Sequence, residues 1–219
     1  MNAHSIFALV SPFFRKKRMA LFREQMRPAK ETQILDVGGY PWCWPDSQVS
    51  SPVTILNLHI LPGLEDQWKD RYTLVIGDAT CMQYQDRQFD IIFSNSVIEH
   101  LGTYQQQEKF AREVRRVGRD LWIQTPAKCF FLEPHLLTPF IHWFPKQTQI
   151  SLARYFTLWG WITRPSKEAA FEYVNELRLL NESEMRALFP DCEIMKEKIL
   201  GLTKSYIAVR RTANQKAVP

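Results

Sequence analysis

The stretch Gln33-Ile34-Leu35-Asp36-Val37-Gly38-Gly39-Tyr40 is typical of a short buried strand that ends abruptly at two glycines. Open α/β sheets bind ligands at the carboxyl ends of their strands, where the backbone is accessible. Glycine suits such a loop because it adopts positive φ and has no Cβ to obstruct a ligand. We therefore predict that Ile34 to Val37 form a central strand and that Gly38 and Gly39 begin a binding loop.

Further apolar, β-branched segments follow at helix-length intervals, at 53–59, 74–76, 89–93 and 121–124. Between the last two, Thr103 and Gln106 predict a capping box for a helix that ends near Val117. This alternation predicts βαβ units and a mostly parallel sheet.

The carboxyl-terminal part contains a short helix and a hairpin. Asn181 and Glu184 predict the start of the helix, and two strands follow near 193–199 and 204–210, with Gly201 between them. Strands joined by so short a connection are antiparallel. The tail, residues 212–219, is expected to be disordered.

Residues 127–170 interrupt the alternation of strands and helices. The segment combines several prolines with many aromatic residues, among them Phe130, Phe131, Trp143, Phe144, Tyr155, Phe156, Trp159 and Trp161. Pockets for small molecules are lined mainly by such side chains, although a hydrophobic core needs them as well. We predict an inserted, aromatic-rich helical cap on the substrate side.

Positive charge is concentrated at the amino terminus. Residues 1–30 contain seven Lys or Arg and one acidic residue, which leaves the remainder of the 219 residues close to neutral. Residues 13–26 have helical spacing of Phe14, Leu21, Phe22 and Met26, and the basic side chains are expected on other faces. A solvated helix, a lid, and contact with a membrane surface or polyanion remain open.

Cysteine usage and hydropathy indicate in which cellular compartment the protein is expected. The four cysteines are far apart and form no Cys-x-x-Cys pair, which argues against a zinc site, so no metal site is predicted. Reduced thiols favour the cytoplasm. The mean hydropathy is −0.29, and the apolar run before Arg15 is too short to span a bilayer, so neither export nor a transmembrane helix is expected.

Four elements in order and spacing resemble class I S-adenosylmethionine-dependent methyltransferases of the methyltransferase type 11 kind. They are Leu35-Asp36-Val37-Gly38-Gly39, Asn57 at the end of the second strand, Gly77-Asp78-Ala79, and Ser94-Asn95-Ser96-Val97-Ile98-Glu99-His100-Leu101. The resemblance covers residues 33–124 and implies a Rossmann-like seven-stranded sheet, mostly parallel with a carboxyl-terminal antiparallel hairpin. It implies one domain over 31–211 after the basic helix of 1–30, and S-adenosyl-L-methionine as cofactor.

The resemblance also implies which residues contact that cofactor. Asp36 would orient the loop of Gly38 and Gly39 and bind the cofactor's amino group. Asn57, or His59 beside it, would bind the ribose hydroxyls. The remaining contacts are implied for the adenine, by Asp78 and Ala79, and for the methionine end, by Ser94 and Asn95.

Two positions depart from the family pattern. Tyr40 stands where a further glycine is usual, so the loop bends differently or Tyr40 stacks near the ligand. Asn57 replaces the usual acidic residue, and a neutral amide makes weaker hydrogen bonds to a ribose. Both departures leave open a domain that binds without catalysing.

Methyl transfer from a sulfonium needs no covalent nucleophile, only an acceptor held in line with the methyl carbon. A hydroxyl acceptor benefits from a base, and histidine suits that role near neutral pH. His100 is the first candidate, followed by His135 and His142 in the cap, with Glu133 as an orienting carboxylate or as part of a simple turn.

The acceptor is expected to be a hydroxyl of a small molecule, lipid or sugar. An RNA methyltransferase is the alternative, supported only by the basic amino-terminal segment. A degenerate binding protein of the same fold is the third interpretation. The sequence does not indicate the oligomeric state.

Overall fold

The computed structural model describes residues 3–212, and its side chains from Arg15 onward. Its strands are β1 Ile34–Val37, β2 Val53–Asn57, β3 Thr73–Ile76, β4 Phe89–Asn95, β5 Gly118–Pro126, β6 Leu132–Glu133, β7 Thr138–Pro139, β8 Glu193–Ile199 and β9 Leu202–Arg210. Its α-helices are α1 Ala3–Met26, α2 Leu64–Trp68, α3 Tyr104–Val117, α4 Lys146–Ala153, α5 Leu158–Thr163, α6 Lys167–Glu176 and α7 Glu182–Leu188.

Seven strands form one sheet in the order β3-β2-β1-β4-β5-β9-β8. β1 to β5 pair in parallel, whereas β9 pairs antiparallel with both β5 and β8. The predicted mostly parallel sheet with a carboxyl-terminal hairpin is confirmed. The strand order reverses between β1 and β4, so a crevice is expected beyond their carboxyl ends.

Apolar side chains cover both faces of the sheet. On one face α3 and α7 pack against the sheet through Phe110, Val114 and Met185. On the other face α1 contributes Met19, Phe22 and Met26, and the Phe22 ring meets that of Trp122 at a centroid distance of 5.6 Å. The helix predicted over 13–26 therefore forms part of the core, and it begins at Ala3.

Several predicted boundaries are confirmed and others shift. The hydroxyl of Thr103 accepts the Gln106 N–H at 3.3 Å and caps α3, and Asn181 and Glu184 form the full capping box of α7. β2 ends at Asn57, two residues earlier than predicted. The predicted disordered tail lies outside the described residues except for Thr212, whose N–H donates to Asp120 at 2.7 Å.

The cap contains three helices, α4 to α6, and the small hairpin of β6 and β7. It has its own hydrophobic core, in which Leu136, Ile141, Trp159 and Val174 are buried. The helical cap predicted at 127–170 thus continues to the end of α6 and includes two short strands. In residues 3–212, no helix combines the length and apolar character needed to cross a bilayer.

Candidate active site

The glycine loop after β1 takes a shape that only glycine permits. Gly38 has φ +77°, and a Cβ there would lie 2.6 Å from Cγ2 of Val97. A Cβ on Gly39 would lie 1.9 Å from Oδ2 of Asp36. The Asp36 carboxylate therefore lies directly under the backbone of Gly39, and both glycines are required by packing.

Asp36 is buried beside an indole. Its Oδ2 accepts the Trp44 Nε1–H at 2.7 Å, while its Oδ1 has no hydrogen-bond partner among the described residues. Burial raises the pKa of Asp36 to about 7, and the hydrogen bond from Trp44 only partly offsets this effect. The sequence does not predict this role for Trp44, because nothing in its spacing indicates that the chain turns back over β1.

The two positions that depart from the family pattern have clear structural roles. The Tyr40 ring stacks on that of Trp42, with centroids 4.4 Å apart and planes 7° from parallel. Asn57 Nδ2 donates to the Gly39 carbonyl at 2.7 Å, a bond that a carboxylate could not make. The prediction of a strand that runs to residue 59 is wrong at its end, because β2 ends at Asn57 and His59 is an exposed residue beyond it.

A cavity of about 490 Å³ lies beyond the carboxyl ends of β2 and β3. Leu58, Asp78 and His100 line it from the sheet side, and Phe171 of α6 lines it from the cap. Oδ1 of Asp78 accepts bonds from the N–H and the hydroxyl of Thr80, at 2.7 and 2.8 Å. These bonds fix the turn that contains Ala79 and hold Asp78 at the cavity wall.

Ser94 and Asn95 are engaged within the protein. The fully buried Ser94 hydroxyl donates to the Val37 carbonyl at 2.9 Å, and Asn95 Oδ1 accepts from the Arg18 guanidinium. The prediction that the basic side chains of the first helix lie on faces other than the apolar one is wrong for Arg18, which stands four residues before Phe22 on the same face. Arg18 is buried and makes two bonds to the Glu197 carboxylate, at 3.2 and 3.0 Å.

Four titratable side chains meet beneath the cap: Glu99, His100, Glu133 and His135, here called the cap cluster. His135 Nδ1 lies 2.7 Å from Glu133 Oε1, and His135 Nε2 lies 3.9 Å from Glu99 Oε1. The rings of His100 and His135 meet edge to face, with centroids 4.7 Å apart. The structure therefore joins the predicted His100, His135 and Glu133 and adds Glu99.

His142, the remaining candidate in the cap, has a different partner. Its Nε2 lies 3.0 Å from the carbonyl of Lys128. The histidine therefore helps to anchor the turn Ile141–Trp143 to the chain that follows β5.

Glu99 lies in the single turn Ile98–His100 after β4 and is fully buried. Its Oε2 accepts the Thr125 hydroxyl at 2.9 Å, whereas its Oε1 has no hydrogen-bond partner among the described residues. Burial raises the pKa of Glu99, although the nearby His135 opposes the shift. Sequence reasoning missed Glu99 because the residue stands inside a family motif and no separate signal distinguishes it there.

The other members of the cluster influence one another. Burial alone would lower the pKa of His135, but the contact with Glu133 outweighs it and raises that pKa. The same contact lowers the pKa of Glu133 against the effect of its burial. Although His100 is partly exposed at the cavity wall, desolvation of its ring by the surrounding protein and the neighbouring His135 lower its pKa to about 4, so that ring is neutral at physiological pH.

The comparisons with known proteins agree with this architecture. Residues 51–120 match the family model described as a methyltransferase domain. This segment is similar to that domain, and the sheet that contains it has the Rossmann-like fold of class I methyltransferases. The cavity beside Asp78 and the cap cluster thus both lie at the ligand-binding edge of the methyltransferase sheet.

Solved structures extend the likeness beyond the matched segment. Magnesium protoporphyrin IX methyltransferase from Synechocystis, with bound SAH, aligns at TM-score 0.55 and 10% identity over 90% of this chain and 82% of that one. Phosphoethanolamine N-methyltransferase 2 from Haemonchus contortus, in complex with S-adenosyl-L-methionine, aligns at 0.56 and 15% over 82% of this chain and 38% of that one. A Rhodobacter sphaeroides protein provisionally described as a Zn-dependent alcohol dehydrogenase aligns at 0.59 and 14% over 90% of each chain. Such identities show the fold alone.

Proposed function

We propose that this protein transfers the methyl group of S-adenosyl-L-methionine to a hydroxyl of a small molecule, lipid or sugar. The observation that carries the proposal is the meeting of the methyltransferase ligand edge with the cap cluster in one place. His100 belongs to both, because it lines the cavity beside Asp78 and contacts His135.

The residues at the sheet edge fit the cofactor. Asp78 lies at the wall of a cavity large enough for a nucleoside, with Oδ2 available to accept from an adenine amine. Gly38 and Gly39 leave no side chain over the loop. The unpartnered Oδ1 of Asp36 is a buried acceptor that a cationic amino group would satisfy. Asn57 then acts on the cofactor through the Gly39 backbone it holds.

The cap cluster supplies what a hydroxyl acceptor requires. Methyl transfer forms one O–C bond, breaks one S–C bond and releases the hydroxyl proton, which a group near the acceptor must receive or pass to water. His135 is oriented by Glu133 at 2.7 Å and directs its other nitrogen towards Glu99. This arrangement can hold a hydroxyl and handle its proton without a covalent intermediate.

The surface of the cap favours a lipid among these acceptors. Trp143, Phe144, Tyr155, Phe156 and Trp161 are each at least half exposed, which is unusual for large aromatic side chains. α5, which carries Trp161, packs against the basic helix α1, and Lys16 and Lys17 on that helix are exposed. Aromatic and basic side chains together suit peripheral contact with an anionic membrane surface. Four free cysteines support a cytoplasmic location.

The experiment is methyl transfer from radiolabelled S-adenosyl-L-methionine into fractionated acceptors: total lipid extract, free sugars and phenolic small molecules. We expect label in the organic phase with the wild type and at least roughly a hundredfold less with His135→Gln, because the cluster that holds the hydroxyl and handles its proton loses its central imidazole. Glu108→Gln, an exposed change on α3, is the matched control and should retain activity. Binding of the cofactor without transfer to any fraction would instead favour the non-catalytic interpretation.

A further inference from the structure

Three side chains of the cap cluster are arranged as ligands around a common point. One donor atom from each of Glu99, His100 and His135 lies within 4.8 Å of the other two. Two ligands bound to one metal ion at about 2.1 Å lie about 3 to 4 Å from each other. The 3.9 Å between Glu99 Oε1 and His135 Nε2 falls in that range and is too long for a direct hydrogen bond.

Glu99 carries the second observation. The residue is fully buried, its Oε2 is fixed by the Thr125 hydroxyl, and its Oε1 points towards His135 without any hydrogen-bond partner among the described residues. A buried carboxylate oxygen is seldom left unpartnered, because the loss of hydration is costly. A cation between Oε1 and Nε2 would satisfy it.

The surroundings of His135 are those of a metal ligand. A ligating histidine commonly donates one ring N–H to a carboxylate, which fixes the tautomer and aims the other ring nitrogen at the metal. Glu133 Oε1 accepts from His135 Nδ1 at 2.7 Å, and Glu133 Oε2 is itself held by the Leu136 N–H. The supporting carboxylate is therefore anchored to the backbone of the cap.

We propose that Glu99, His100 and His135 bind one divalent transition-metal ion, with Glu133 positioning His135. Two imidazoles and one carboxylate suit first-row transition-metal ions such as Zn²⁺, Fe²⁺, Co²⁺ or Mn²⁺ and leave coordination positions open. Because His100 lines the cavity, the open positions face it and can take an acceptor oxygen. This role for the ion rests on the proposed function, whereas binding of the ion does not.

Cysteine pairs, the metal signal that a sequence shows most plainly, are absent from this chain, so its sequence predicts no metal site. The ligands here come from two distant places, the turn after β4 and the hairpin of the cap, and no local spacing links them. Only the folding of the cap over the sheet edge brings His135 to Glu99.

The test is titration of the untagged, chelator-treated full chain with Co²⁺, followed by visible absorption and by calorimetry. We expect one ion per chain with a dissociation constant of about 10 μM or lower. Glu99→Gln and His100→Gln should each weaken binding at least tenfold, and Glu133→Gln should weaken it about 10- to 100-fold. Glu108→Gln is the matched control and should bind as the wild type does.

Two results would overturn the metal site: no binding up to about 1 mM Co²⁺, Zn²⁺ or Mn²⁺, or binding that all three variants leave unchanged. Circular dichroism of each variant checks that it is folded, and His100→Gln, at the cavity wall, is the variant least exposed to folding defects. Binding of S-adenosyl-L-methionine is measured separately in the chelator-treated protein. Retained cofactor binding and methyl transfer without any metal binding would reject the ion and leave the proposed function standing.

Discussion

Two buried carboxylates at the same sheet edge have opposite surroundings. Asp36 lies under the glycine loop against the Trp44 indole, in a mostly apolar setting, and Glu99 lies in the cap cluster among imidazoles. Each has one oxygen bonded and one without a hydrogen-bond partner among the described residues. Burial alone therefore does not determine what such a carboxylate binds, because the groups around its unpartnered oxygen decide which ligand fits there.

Asp36→Asn should give the largest effect. Asp36 titrates near 3.8 when unfolded and near 7 when folded, so its contribution to stability is lost between about pH 4 and pH 7 and is constant above. The difference between these two pKa values corresponds to about 4 kcal/mol. The free energy of unfolding of the wild type should fall by about this amount between about pH 4 and pH 7 because of Asp36, and that part of the fall should be missing in Asp36→Asn.

Urea unfolding at about pH 4 and about pH 8 measures this difference, with the exposed Asp70→Asn as control. Equal pH dependence in the wild type and Asp36→Asn would show that Asp36 is not buried in an apolar setting, and the comparison with Glu99 would lose its basis.

Gly39→Ala should follow, with a loss of about 3 kcal/mol, because the new methyl group would overlap the Asp36 carboxylate and force the loop to move. Gly201→Ala separates this clash from backbone strain. Gly201 has φ +83°, and no described atom lies within 4 Å of the position that a Cβ would take, so only about 1 kcal/mol is expected there. Thermal and urea unfolding of both variants measure these losses of stability. Equal losses in Gly39→Ala and Gly201→Ala would contradict the close contact between Gly39 and Asp36.

Thr125→Val probes the other carboxylate. The change keeps the shape of the side chain and removes the hydroxyl that donates to Glu99 Oε2 at 2.9 Å. We expect a loss of about 2 kcal/mol in unfolding free energy, since a buried acceptor loses its partner. Thr73→Val, at an exposed position of the edge strand β3, controls for the substitution. A loss in Thr125→Val no larger than in that control would mean that Glu99 is not held by Thr125.

Asn57→Asp should have the smallest effect on stability. The acidic residue is the usual one in the family, yet here it would replace the donor that reaches the Gly39 carbonyl at 2.7 Å. We expect a cost of about 1 kcal/mol from the lost hydrogen bond, measured by urea unfolding near neutral pH. If Asn57→Asp leaves the protein as stable as the wild type, the amide does not support the loop.

The sheet was predictable because its signals are local. The strand from Ile34 to Val37 ends at two glycines, the Thr103 cap begins a helix with a regular apolar face, and both patterns survive in the structure. The hairpin of β8 and β9 was equally predictable, because its two strands are joined by a short connection at Gly201.

The candidate site was only partly predictable. Its cofactor edge follows motifs within single turns, such as Asp78 with Thr80. The partners that set the chemistry come from afar: Trp44 folds back over Asp36, Arg18 reaches Asn95 and Glu197, and His135 meets Glu99. Periodicity carries no information on such contacts, because each depends on how the first helix and the cap pack on the sheet.

Calorimetric titration with S-adenosyl-L-methionine is the decisive test of whether the sheet edge at Asp78 binds this cofactor. We expect micromolar binding by the wild type, binding at least roughly tenfold weaker in Asp78→Ala, and wild-type affinity in the exposed control Asp70→Ala. An affinity that Asp78→Ala leaves unchanged, or no binding by the wild type up to about 1 mM, would contradict a cofactor site at this edge.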